Sequence, residues 1–145
     1  MRLTHATYAL ATLAFASLSA TTAPVFADTL LFKATLVGSE EVPATDSKGT
    51  GAAELTYDTA TKQLNYKVTY SGLTGAATAA HIHGPAEPGK TGPVAIPFAN
   101  PASPIDGSAT LTDAQAADLA SGKMYINVHT AQFKSGEIRG QILKQ

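Results

Sequence analysis

Two histidines one residue apart occur in AHIHGPA, Ala80 to Ala86, in a chain that has four histidines in all. If this stretch is extended, residues i and i+2 point the same way and lie about 6.6 Å apart along the strand. Their imidazoles can then lean over one ion. A third ligand has to arrive from elsewhere, and with His5 set aside His129, in YINVHT, is the histidine left to supply it. Three imidazoles without a thiolate suit copper, with zinc as the alternative, and the affinity order among first-row divalent ions favours copper. Calcium prefers oxygen ligands, and the carboxylates here are scattered. The competing reading is a metal-free interaction module, whose sheet face or edge strand binds a protein or matrix partner while the histidines only brace loops.

Two further polar residues sit close to these motifs. Asn127 shares a strand face with His129 and can orient it by a hydrogen bond, as outer residues around metal sites do; a satisfied strand-end amide is the plain reading. Arg139, in SGEIRG, can face an anion, pair with Glu137 or Glu41, or lay its stem over the sheet. Tyr125 reads as core or rim. Met124 falls on the opposite face, which removes it as an axial ligand.

Other chemistries find little support. The chain has no cysteine, which excludes disulfides, thiol nucleophiles and thiolate-bound metals. No serine occupies a Gly-x-Ser-x-Gly elbow, and no carboxylate pair has a spacing suggestive of glycoside hydrolysis. No catalytic residue is assigned, and the balance leans away from an enzyme.

The elements that must position the histidines begin after a leader. Residues 1–27 read as a signal peptide: basic Arg2, an apolar run from Tyr8 to Ala20 too short to span a bilayer, and the small residues of Val25-Phe26-Ala27 before a cleavage point. Export to the periplasm or the medium follows, with a mature domain of residues 28–145 and no membrane span. Its first residue, Asp28, rules out a copper site built on an amino-terminal histidine. Without Arg2, nine basic residues face the eleven acidic ones of the chain. No basic face results, which excludes nucleic acid as a partner.

Within that domain the apolar pattern has a period of two almost throughout. TLLFKATLV, Thr29 to Val37, reads as a strand. Ala53, Leu55 and Tyr57 alternate before a turn at Asp58 to Lys62, and Leu64, Tyr66, Val68 and Tyr70 alternate after it, which predicts an antiparallel hairpin with Asn65, Lys67 and Thr69 towards solvent. Further strands are expected at Ala77 to His83, Val94 to Phe98, Ser108 to Leu111, Lys123 to Thr130 and Glu137 to Leu143. One helix is predicted, capped by Thr112 with Gln115 and stopped by Gly122. Many short strands and a single helix imply an all-β, antiparallel Greek-key β-sandwich, immunoglobulin-like or superoxide dismutase-like.

AHIHGPA, the Gly- and Pro-rich loop up to GPV at Gly92 to Val94, YINVHT, and SGEIRGQI at Ser135 to Ile142 together resemble the CHRD (chordin-type) domain, which also occurs in exported bacterial proteins. The resemblance covers most of residues 28–145 and implies a fold and its boundaries more than a chemistry. A fainter resemblance, to the copper site of copper-zinc superoxide dismutases, follows the order of HIH, VHT and SGEIRG. It implies copper on His81, His83 and His129 with Arg139 facing an anion, and a copper-dependent dismutase activity as a third possible function. The bridging histidine, the zinc cluster and the cysteine pair of those enzymes are missing.

Overall fold

The computed structural model describes residues 28–145; the proposed signal peptide, residues 1–27, lies outside the described residues. The chain runs β1 (Thr29–Val37), a single 3-10 turn (Gly38–Glu40), β2 (Thr50–Asp58), β3 (Gln63–Ser71), β4 (Ala77–His83), β5 (Val94–Pro97), β6 (Ile105–Thr110), α1 (Asp113–Ala120), β7 (Tyr125–Thr130), β8 (Ile138–Gln141) and β9 (Leu143–Lys144). The all-β expectation holds. Strands follow one antiparallel path, β5-β4-β7-β8-β1-β2-β3-β6, with β9 also pairing β1.

The path is folded on itself because each strand has one apolar face. Phe32, Ala34 and Leu36 of β1 stand opposite Leu55, Ala53 and Gly51 of β2, and Leu64 and Val68 of β3 stand opposite Tyr57 and Ala53. Ala80 and Ile82 of β4 pair with Val128 and Ile126 of β7. All the apolar members of both groups except Gly51 are buried in one core with Ile96, Ile105, Leu119, Met124, Ile138 and Ile142. Burying each large aliphatic side chain contributes roughly 1.5–3 kcal/mol, and with no disulfide this core carries the fold.

The corner between the halves is where β8 crosses β1. Only Val37 and Arg139 pair there, and a Cβ on Gly140 would run into the Thr35 carbonyl. Glycine is required by that approach.

The hairpin and helix follow the sequence pattern. β2 and β3 pair along their whole length, and Thr112 and Gln115 form the reciprocal capping box. Two strands differ from expectation by more than a residue or two at one end. β6 starts at Ile105, because Ile105 is buried opposite Val68 and Pro104 ends the preceding loop rather than extending it. The last strand is broken at Ile142, whose amide binds the Met124 carbonyl (2.8 Å) before β9 moves to β1.

Candidate metal centre

Register places the polar residues of the motifs on one surface. On the outer face of the half-sheet β4-β7-β8, His81 stands opposite Asn127, His83 opposite Tyr125, and Ala79 opposite His129. Across the next ladder Asn127 faces Arg139 and Tyr125 faces Gln141. The period of two that sends Ile82, Ile126 and Val128 into the core sends all these residues the other way.

That outer face is not open sheet. Tyr125 and Asn127 are each 3% exposed and Arg139 is 2% exposed, because the segment after β4 folds back over them. Its backbone supplies the anchors: the Ala86 carbonyl accepts from Gln141 Nε2 (3.0 Å), the Lys90 carbonyl from Arg139 (2.7 Å), and the Gly92 N–H donates to the Tyr125 hydroxyl (3.3 Å). The Gly- and Pro-rich composition of this segment suits a chain that must follow a surface closely.

The three histidines meet under one edge of this cover. Ring centroids are 5.3 Å apart for His81 and His83, 4.9 Å for His81 and His129, and 6.4 Å for His83 and His129. One nitrogen from each lies within 4.8 Å of the others, so the three histidines could hold a metal ion. His83 is buried, whereas His81 and His129 are half-buried and line a surface cleft of about 430 Å3 with Thr78, Ala79, Thr130 and Lys134.

Backbone carbonyls fix the proton positions. His83 Nδ1 is 3.0 Å from the Gly92 carbonyl and His129 Nδ1 is 3.0 Å from the Lys134 carbonyl. A carbonyl only accepts, so both rings carry the proton on Nδ1 and leave the Nε2 lone pair for another use. For His83 that nitrogen is buried with no hydrogen-bond partner. His129 Nε2 lies 3.1 Å from His81 Nδ1 and 3.0 Å from Asn127 Oδ1. Burial, reinforced by His129 and His83, lowers the pKa of His81; burial also lowers that of His129, against the pull of the Lys134 carbonyl. Both shifts favour the neutral imidazole, the form that ligates metals.

Asn127 therefore touches His129. Arg139 is placed differently from an anion guide at an open mouth: it is covered, and its guanidinium carbon lies 3.5 Å from the centroid of the Tyr125 ring. That ring in turn is stacked on His83. No carboxylate is within salt-bridge distance of Arg139 among the described residues. Glu137, a candidate partner for Arg139, instead takes hydrogen bonds from Ser47 (2.7 Å), Thr74 N–H (2.8 Å), Thr74 Oγ1 (2.8 Å) and Thr130 Oγ1 (2.6 Å). Glu41 is buried with one oxygen unpartnered. Its pKa is raised to about 7 by burial, against the attraction of Arg139 and hydrogen bonds from Val42 and Asn127.

The contributions of Gly92 and Lys134 escape sequence reading, because each acts through a carbonyl that any residue type would supply. The Tyr125–His83 stack was signalled only by their shared face.

A family model described as CHRD domain matches residues 32–142. No curated protein and no solved structure matches the chain significantly.

Proposed function

The chain belongs to the CHRD domain family, and on that premise we propose that its domain binds a single metal ion, copper, through His81, His83 and His129, as an exported copper-binding or copper-handling protein. The observation that carries this reading is the buried, unpartnered Nε2 of His83. An orphaned buried nitrogen costs about 1–3 kcal/mol, and a ligand bond to an ion removes that cost. His129 supports the same reading. Its Nδ1 is held by the Lys134 carbonyl, so its Nε2 lone pair points into the cluster, 3.1 Å from His81 Nδ1.

Nitrogens bound to one ion at about 2.0–2.1 Å lie at most about 4.2 Å apart. The cluster, within 4.8 Å, needs less than about 1 Å of side-chain movement to reach that. Neutral nitrogen ligands without thiolate or carboxylate favour copper over zinc in the affinity order. Bound there, the ion would offer Lewis acidity or one-electron chemistry beside the cleft, with the Lys134 carbonyl at Nδ1 orienting His129 and Asn127 lying beside it.

Two experiments test this. Purified protein titrated with copper against a competing chelator should take up one equivalent, and His83→Ala should weaken binding by at least about 100-fold, the upper end of losses from merely supporting residues. Unchanged uptake in that variant would remove the assignment. For export, we propose cleavage after Ala27; intact mass of protein recovered from outside the cytoplasm should correspond to residues 28–145, and a retained leader would contradict it.

A further inference from the structure

We propose that the histidine site favours copper in its singly charged state, Cu(I), and that the buried guanidinium of Arg139 sets this preference. The inference rests on the metal reading above and concerns which copper ion that site holds.

Arg139 is the largest fully buried side chain of the domain, yet it lacks an ion-pair partner among the described residues. Its polar contacts are the Lys90 carbonyl at 2.7 Å and Gln141 Oε1 at 3.4 Å. Neither carries a charge. The guanidinium lies over Tyr125 at 3.5 Å, and the Tyr125 ring is parallel to that of His83, 4° between planes and 4.8 Å between centroids. A fixed positive charge therefore stands one aromatic ring away from a ligand, in a region from which water is excluded. There its field is screened far less than at a surface.

No acidic group forms an ion pair with it among the described residues. The cluster is built of imidazoles alone, with no carboxylate among its members. Glu137 accepts from Ser47, Thr74 and Thr130 and makes no ion pair with Arg139. Lys134, exposed beside His129, adds a positive charge. Glu41 is attracted to Arg139, and burial opposes its ionisation. Repulsion from Arg139 is twice as large for Cu(II) as for Cu(I), and three neutral nitrogens are a sufficient set for Cu(I).

The test measures the two affinities separately, Cu(I) by competition with a chromophoric chelator under anaerobic reducing conditions and Cu(II) by competition with an amino-acid chelator. Arg139→Gln should lower the ratio of Cu(I) to Cu(II) affinity about tenfold, equivalent to about 59 mV for a one-electron couple. Arg139→Lys, which keeps the charge, should leave the ratio close to that of the parent. Glu41→Gln, measured at about pH 8 where the parent carboxyl is ionised, should raise the ratio. Opposite signs for Arg139→Gln and Glu41→Gln are the signature of charge; equal responses of the Gln and Lys variants at 139 would show packing and overturn the inference. Should Arg139→Gln fail to fold, an unchanged ratio in Glu41→Gln overturns it equally. A protein that binds neither copper ion overturns the metal reading and this inference together, whereas copper binding with an insensitive ratio overturns this inference alone.

Discussion

The ring of Tyr125 lies parallel to that of His83, with 4.8 Å between centroids and 4° between planes. The stack is a consequence of register, because the two residues are direct partners across β4 and β7. It buries one face of a histidine whose Nδ1 is already held by Gly92. His83 thus has little freedom to turn, and its Nε2 is held in place before any ligand arrives.

Tyr125→Leu should remove that support. A truncated buried aromatic costs about 3–5 kcal/mol when cut to alanine, and leucine recovers part of the volume, so a loss of about 2–3 kcal/mol in urea unfolding is expected. Tyr125→Phe loses only the long hydrogen bond from Gly92 N–H (3.3 Å) and should fall within about 1 kcal/mol of the parent.

Gly140→Ala tests the corner of the fold. The added Cβ would meet the Thr35 carbonyl, which is backbone and cannot swing away. Loss of more than about 3 kcal/mol is expected, at the large end for point substitutions, seen as a fall in the urea midpoint or as failure to fold.

Glu137 gives stability a dependence on acid. Burial is the largest single influence and pushes its pKa up, but the hydrogen bonds from Thr130, Ser47 and Thr74 together hold it below the ordinary value of 4.5. The native state therefore binds this proton less readily than the unfolded chain. Its contribution is fully present above about pH 5 and is lost as pH falls through the native value. Glu137→Gln should destabilise by about 2–3 kcal/mol at neutral pH, with the difference from the parent shrinking in unfolding curves measured at progressively lower pH.

Glu41 has the opposite sign. Its native pKa of about 7 lies above the ordinary 4.5, so the unfolded chain gives up the proton first as pH rises. The resulting penalty starts near pH 4.5, grows to about pH 7 and stays constant beyond. Glu41→Gln should therefore stabilise the protein at about pH 8, by about 1–2 kcal/mol after allowance for partial solvent screening. Near pH 4 it should make little difference. A Glu41→Gln variant less stable than the parent at both pH values would contradict the sign.

The period of two in Ala77 to His83 and in Tyr125 to Thr130 made the strands and their faces legible, and the pairing of these two strands then brings His81, His83 and His129 to one side of the sheet. What period could not convey is the cover over that side. On β7, Tyr125 and Asn127 alternate as outward residues yet are as buried as the core, because residues 84–93 lie across them. A loop's path depends on where its backbone amides and carbonyls find partners, and Ala86, Lys90 and Gly92 act through those groups alone. For the same reason Arg139 reads from sequence as an anion guide, an ion-pair partner or a stem laid over the sheet, while the fold covers it and gives it an aromatic ring and a backbone carbonyl. The start of β6 was hidden by Pro104, which resembles loop until Ile105 is seen opposite Val68.

The central claim is that three imidazoles share one copper ion. Its most direct measurement is the electron spin resonance spectrum of the protein loaded with one equivalent of Cu(II), prepared with natural and with 15N-labelled histidine. The account predicts hyperfine structure from three histidine nitrogens that changes with the label and collapses in His83→Ala. A spectrum unaffected by the label, or one that survives unchanged in that variant, would contradict it.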